Sequence, residues 1–252
     1  AIVPVHLYGR ACNMDVIMRL ARKYSLKVIE DCAQSCGTRY SGKKLGSFGK
    51  GAIFSFHPHK NFSSLESGML VTDSEEIAHN AKNFLNRYEP SGHVTLLKNI
   101  NYILMMRFIT RPWIWTCLFH PIIKCCSRLR FDLIEVMTNE NPKSDTHYYV
   151  DQGNTRMPVA LHGRIGMMLL DEIDFINRKC IQNGNRLSQK MKNVPGITVP
   201  KITREGKNIY MSFVIQVSHK KRFRQKMQKL GIDTHGGNMF VGPSLPGISD
   251  DY

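Results

Sequence analysis

Lys27-Val28-Ile29-Glu30-Asp31 is a β-rich run that ends on two carboxylates, and its surroundings decide the fold. Upstream, Ile2 to His6 reads as another strand. Between the two, Asn13 or Asp15 can cap a helix whose apolar positions Ile17, Leu20, Ala21 and Tyr24 recur at three- and four-residue spacing. Strand, short helix and strand within about thirty residues make a βαβ unit, with parallel strands joined by a right-handed crossover. Ligands in such sheets sit beyond the carboxyl ends of the strands, where Asp31 falls. Taken by itself, Asp31 reads equally well as a turn or cap residue.

Further along, Ala52 to Phe56 forms the next strand of the run Phe54-Ser55-Phe56-His57-Pro58-His59-Lys60-Asn61. Pro58 stops it and delivers Lys60 just past its end. A lysine is ordinarily a solvated surface charge, so only its company gives Lys60 another meaning. Gly37, Gly42, Gly46, Gly49 and Gly51 are spaced as turns, without the order that a nucleotide-binding loop requires. Gly68 to Thr72 is a further strand, and Asp73-Ser74-Glu75-Glu76 opens a helix to about Tyr88, its acidic first turn matching the helix dipole.

The spacing then predicts a long helix over Val159 to Lys190, with Leu161, Ile165, Leu169, Ile173 and Ile176 on one face. After Pro195-Gly196 come strands near Ile197 to Val199 and Tyr210 to Val217, and a basic helix from about Lys220 to Leu230. The expected organisation is a large domain over 1–158, with a basic aromatic insertion at about 90–150, followed by the linking helix and a small α+β domain over 159–252. The chain opens without Met inside an apolar run and stops at Asp250-Asp251-Tyr252, so it reads as a fragment incomplete at both ends.

Composition narrows the classes. A chain of 252 residues, 42% hydrophobic, can bury a sizeable core. A net charge of +15 favours polyanionic partners: nucleic acid, an acidic membrane surface or a phosphate-bearing substrate. No zinc-finger, RNP-like or basic-zipper pattern supports nucleic acid. Seven cysteines, odd in number and without C-x-x-C clusters, point to a reducing cytoplasm rather than a disulfide framework or zinc site. Residues 90–131 hold Lys98, Arg107, Arg111, Lys124, Arg128 and Arg130, both tryptophans, and no acidic residue. That texture fits an interfacial membrane helix, which would put the protein peripherally at the membrane. A helical pair packed on the body or on a second subunit fits better, because Pro112 and Pro121 divide the stretch.

The informative set is Asp31 and Gln34 after one strand, Ser55 and Lys60 on and after the next, and Asn154 and Arg156 ahead of the long helix. A carbonyl-to-amine exchange needs an amine that can form a Schiff base, an electron sink, and a grip on that sink. Lysine supplies the amine, a carboxylate can keep a pyridine nitrogen protonated, and a hydroxyl near a strand end can hold a phosphate.

With Pro4-Val5-His6-Leu7-Tyr8-Gly9, Met14-Asp15, Val28-Ile29-Glu30-Asp31-Cys32-Ala33-Gln34, Gly46-Ser47-Phe48-Gly49, Phe54-Ser55-Phe56, Lys60-Asn61 and Asn154-Thr155-Arg156-Met157, the chain resembles the DegT/DnrJ/EryC1/StrS family of pyridoxal-phosphate-dependent sugar aminotransferases. The resemblance implies the α/β transferase fold of type I, with a mostly parallel central sheet, flanking helices and a smaller α+β domain. It also implies pyridoxal 5'-phosphate as cofactor, a nucleotide-diphosphate keto sugar as amino acceptor, glutamate as donor, and a homodimer with a shared active site. Lys60 would carry the cofactor as a Schiff base and move the proton. Asp31 would pair with the pyridine nitrogen, Gln34 would lie against the ring, Ser55 would bind the phosphate, and Asn154 would reach the phosphate of the neighbouring subunit. Residues 90–150 align poorly, and Ser67 stands where the family usually has glycine. Alternatives are a cofactor-binding regulator or decayed copy without activity, and a sugar dehydratase of the family, in which histidine replaces the lysine. The retained Lys60 favours transamination.

Overall fold

The computed structural model describes residues 1–58, 60–122, 125, 156–199, 205–232 and 234. The chain divides into two compact units: residues 1–103 with 156–216, and residues 104–155 with 217–252.

The first unit carries the βαβ element. The first strand of the expected pair is reduced to two parallel bridges, Ile2 to Val28 and Val5 to Asp31. Helix α1 (Met14–Lys23) starts where Asn13 accepts a hydrogen bond from the Val16 amide at 3.1 Å. Of the two proposed caps, Asn13 does the work; Asp15 sits in the first turn and accepts from the Tyr40 hydroxyl at 3.0 Å. Strand β1 (Ile29–Asp31) pairs in parallel with β4 (Gly51–Phe56), and β4 pairs antiparallel with β5 (Ser67–Val71). A short hairpin, β2 (Arg39–Tyr40) and β3 (Lys43–Lys44), lies between β1 and β4 in sequence. The described sheet is therefore mixed. The link from Phe56 to Ser67 is too short for the crossover of about a dozen residues that a parallel return needs.

Two apolar clusters support this sheet. Met14, Cys32, Tyr40, Leu45 and Ala52 pack α1 against one part; Phe56, Phe62 and Ile173 form the other, with Phe54 touching both. The Phe56 and Phe62 rings meet edge to face at 4.7 Å, which fixes the chain on either side of Lys60.

Helix α2 (Glu75–Leu85) begins at Ser74, whose hydroxyl accepts from the Ile77 amide, and stops short of Tyr88. The expected long helix is two helices, Ala160–Leu170 and Ile173–Met191, with the break at Asp171-Glu172. In the second of these Gly184 faces the Tyr210 ring so closely that an added Cβ would lie 2.3 Å from it. Tyr210 has a positive φ of 50° and its hydroxyl donates to Asn185 at 3.0 Å. That turn is why the strand expected over Tyr210 to Val217 is found only at Gln216–Val217. The residues before it are tied instead to the first unit, through Ser41 N to Glu205 O, Lys207 N to Arg39 O and Ile209 N to Gly9 O.

Helix α3 (His93–Ile109) passes from the first unit into the second. Pro112 opens a new helical turn, where its missing N–H costs nothing, and a π-helical turn follows at Trp115–Phe119. Pro121 comes two residues later. Its ring would crowd the Cys117 carbonyl in a regular α-turn, and the wider π turn relieves that contact. A basic helix, Lys220–Lys229, completes the described part of this unit.

Candidate active site

Asp31 ends β1, and the Cys32 amide that follows donates to the Ile53 carbonyl of β4 at 2.9 Å. Chain direction then brings the carboxyl end of β4 alongside, with Ser55 two positions beyond the residue in register with Asp31. Asp31 Oδ1 accepts from the Ala33 amide at 2.9 Å, which turns the chain sharply after the strand. Three residues on, Gln34 Oε1 accepts from the Tyr8 amide at 2.9 Å, leaving its NH₂ group for another partner.

Lys60 is half-buried in a turn closed by its own amide on the His57 carbonyl at 2.9 Å. Burial pushes its ammonium below the ordinary lysine range, and the Asp31 charge pulls it part of the way back. Beside Lys60, Asn61 Nδ2 and Ser63 Oγ are buried without a hydrogen-bond partner among the described residues. Buried polar groups are rarely left so, and these donors next to an amine fit a polar ligand.

Ser67, in the place of a usual glycine, lies within β5, and its hydroxyl pairs with that of Ser64. The left-handed backbone falls just before it, on Leu65 (φ 57°) and Glu66 (φ 63°). Glu66 accepts from Asn99 at 3.1 Å and lies 3.6 Å from His57. Arg156 is exposed, and its neighbour Met157 is fixed by bonds to Glu89 and from Ser91. Asn154 lies outside the described residues.

One arrangement near the site was missed from the sequence. Glu30, fully buried, accepts from the amides of Gly46 (2.8 Å), Phe48 (2.7 Å) and Gly49 (3.0 Å) and from His6 Nε2 (3.3 Å). Burial alone would raise this carboxyl, but the His6 bond and three amides hold it below the usual carboxylate range. His6 Nδ1 accepts from the Cys12 amide at 3.1 Å, which leaves Nε2 to donate to Glu30. Gly49 is required here, because an added Cβ would lie 2.3 Å from the Val28 carbonyl oxygen. Cys32 approaches His6 and Glu30 closely enough for a metal triad. The chemistry opposes one: Glu30 is taken up by amides, and burial pushes the Cys32 thiol up to about 12, away from the thiolate a metal needs. The signal available in the sequence was the adjacency of Glu30 to Asp31, since a strand sends neighbouring side chains to opposite faces.

The described α/β architecture is that of fold type I. A structure of DesV from S. venezuelae in complex with a ketimine intermediate shares that fold with a TM-score of 0.64 at 20% identity, covering 99% of this chain and 53% of its own. Residues 1–91 match the DegT/DnrJ/EryC1/StrS aminotransferase family. GDP-perosamine synthase of Caulobacter vibrioides is 49% identical over 78 residues, 31% of this chain and 21% of that protein. Spore coat polysaccharide biosynthesis protein SpsC of Bacillus subtilis is 25% identical over 223 residues, 88% of this chain and 46% of that protein. The chain thus spans less than half the length of these curated relatives.

Proposed function

We propose that the protein is a pyridoxal-phosphate-dependent aminotransferase that moves an amino group from glutamate to a keto sugar linked to a nucleotide diphosphate, in amino-sugar or surface-polysaccharide biosynthesis. The observation that carries this reading is the placement of Asp31 at the carboxyl end of β1, with the turn that bears Lys60 following the end of its parallel neighbour β4. The name of the GDP-perosamine synthase relative supports the nucleotide sugar. When bound, the cofactor ring supplies the electron sink.

The chain's own residues do the rest. Lys60, made less basic by its burial, is an amine that gives up its proton more readily than an exposed lysine, which suits a nucleophile and proton carrier. Asp31, anchored by the Ala33 amide, would hold the protonated pyridine nitrogen. Gln34 would lie against the ring, Ser55 would hold the phosphate, and Asn154 would reach the phosphate in a partner subunit of a homodimer. The cofactor domain would span 1–158 and the linking helix with the small domain 159–252. The described cysteines are free, which agrees with a cytoplasmic setting.

The test is spectroscopic and then chemical. The whole protein should gain a visible absorption band with pyridoxal phosphate, lose it in Lys60→Ala, and aminate a nucleotide-linked keto sugar from glutamate. A protein that stays colourless with added cofactor would sink the reading. A coloured protein that transfers no amine across a panel of keto sugars would point to the non-catalytic alternative.

A further inference from the structure

We infer that Glu66 is a positioning residue for Lys60, held by Asn99 of α3 and acting on the lysine turn through His57; the inference rests on the role proposed for Lys60 above. The register of the sheet sets this up. Phe56 faces Ser67 at the last rung between β4 and β5, so His57 and Glu66 are the next facing pair and close the loop that carries Lys60. His57 Nε2 lies 3.6 Å from Glu66 Oε1, and the His57 carbonyl accepts from the Lys60 amide at 2.9 Å. One residue thus gives its side chain to Glu66 and its backbone to the lysine turn.

The backbone gives a second, separate observation. Leu65 (φ 57°) and Glu66 (φ 63°) are consecutive residues in the left-handed region, which residues other than glycine rarely enter and keep only where their surroundings over-determine it. Here the surroundings do so. Leu65 is buried, and Asn99 Nδ2 reaches both the Leu65 carbonyl at 3.5 Å and Glu66 Oε2 at 3.1 Å. Asn99 belongs to the same compact unit as the loop but lies beyond the residues 1–91 that match the family. The hold on the lysine loop is therefore made by a segment outside that match.

Two other roles for Glu66 fit less well. A plain surface ion pair, half-exposed on both sides, adds little to stability and gives no reason for two left-handed residues. A proton carrier at the reacting centre needs an oxygen turned to the lysine, whereas the Glu66 oxygens are turned to Asn99 and His57, and the carboxylate whose charge acts on Lys60 is Asp31. Its effect belongs to the placement of the amine, on which a reacting geometry depends.

The experiment uses the whole protein, first without cofactor. In Glu66→Ala the Lys60 amide should exchange its hydrogen about threefold to tenfold faster than in the wild type, while the amides of α1 and β4 keep their rates. Titration with pyridoxal phosphate then reads the lysine itself: half-saturation of the visible band should need about three to ten times more cofactor. Glu66→Gln, which can still accept from Asn99 and reach the imidazole, should restore both. His57→Ala should match Glu66→Ala, and the two together should be no worse than either alone, because each removes the same contact. If Glu66→Ala fails to fold, Asn99→Ala should move both readouts in the same direction from the helix side. Wild-type exchange and half-saturation in the folded variants overturn the inference. So do additive effects in the double variant, or faster exchange spread evenly through the first unit, which would make Glu66 a structural residue only. Exchange needs no cofactor, so a wild type that stays colourless sinks the proposed chemistry while the Lys60 amide still decides whether Glu66 holds the turn.

Discussion

The described parts of the two units present charge in different settings. In the first, the Glu30 carboxylate is withdrawn completely from water and given three amides and an imidazole N–H. In the second, cations stay at the surface beside exposed apolar groups, with no described carboxylate among them. The contrast separates two uses of a charge. Buried and fully satisfied, it fixes the backbone around it; exposed, it is available to a partner.

Several experiments can break or sharpen that contrast. The largest effect belongs to the reactive residue: Lys60→Ala should lower amine transfer by about a thousandfold or more while leaving the fold intact by circular dichroism. Glu30→Ala comes next. It strands three buried amides and should cost about 3 kcal/mol or more in denaturant unfolding, whereas Lys221→Gln should cost almost nothing. Equal costs would erase the distinction between the units. Gly184→Ala would press a methyl into the Tyr210 ring and should cost about 1–3 kcal/mol.

Acid provides a graded version of the Glu30 test. Because the folded carboxyl titrates below its unfolded counterpart, its contribution is present above the ordinary value near 4.3 and is lost as pH falls through the folded value. Melting temperature should therefore drop more steeply in the wild type below about pH 4 than in Glu30→Gln. The smallest expected change is in the second unit: Lys221→Ala, on an exposed helix face, should alter stability by less than about 0.5 kcal/mol in denaturant unfolding.

Much of the first unit was legible because its signals are local. The Asn13 cap, the Ser74 cap and the strands ending at Asp31 and Phe56 each depend on residues within a few positions. What escaped depends on distant contacts. Nothing in the chain between Glu30 and Gly46 announces that a carboxylate will meet a loop sixteen residues away. The break at Asp171-Glu172 has neither glycine nor proline to mark it, and Tyr210 leaves the extended region to place its ring on Gly184. In the insertion, Pro112 marked a real helix start, but composition could not say which of its apolar residues stay in solvent.

The pairing of residues 2–6 with β1 holds more than a strand in place. Ile29 N bonds to Ile2 O, Asp31 N to Pro4 O, and His6 N to Asp31 O. These three bonds set which of two adjacent acids faces inward. A slip of one residue would exchange their faces, sending Asp31 toward the glycine loop and Glu30 toward Lys60. The division of labour between an acid that holds the scaffold and an acid that faces away from it is thus a matter of strand phase, kept by these bonds and by the pairing of β1 with β4.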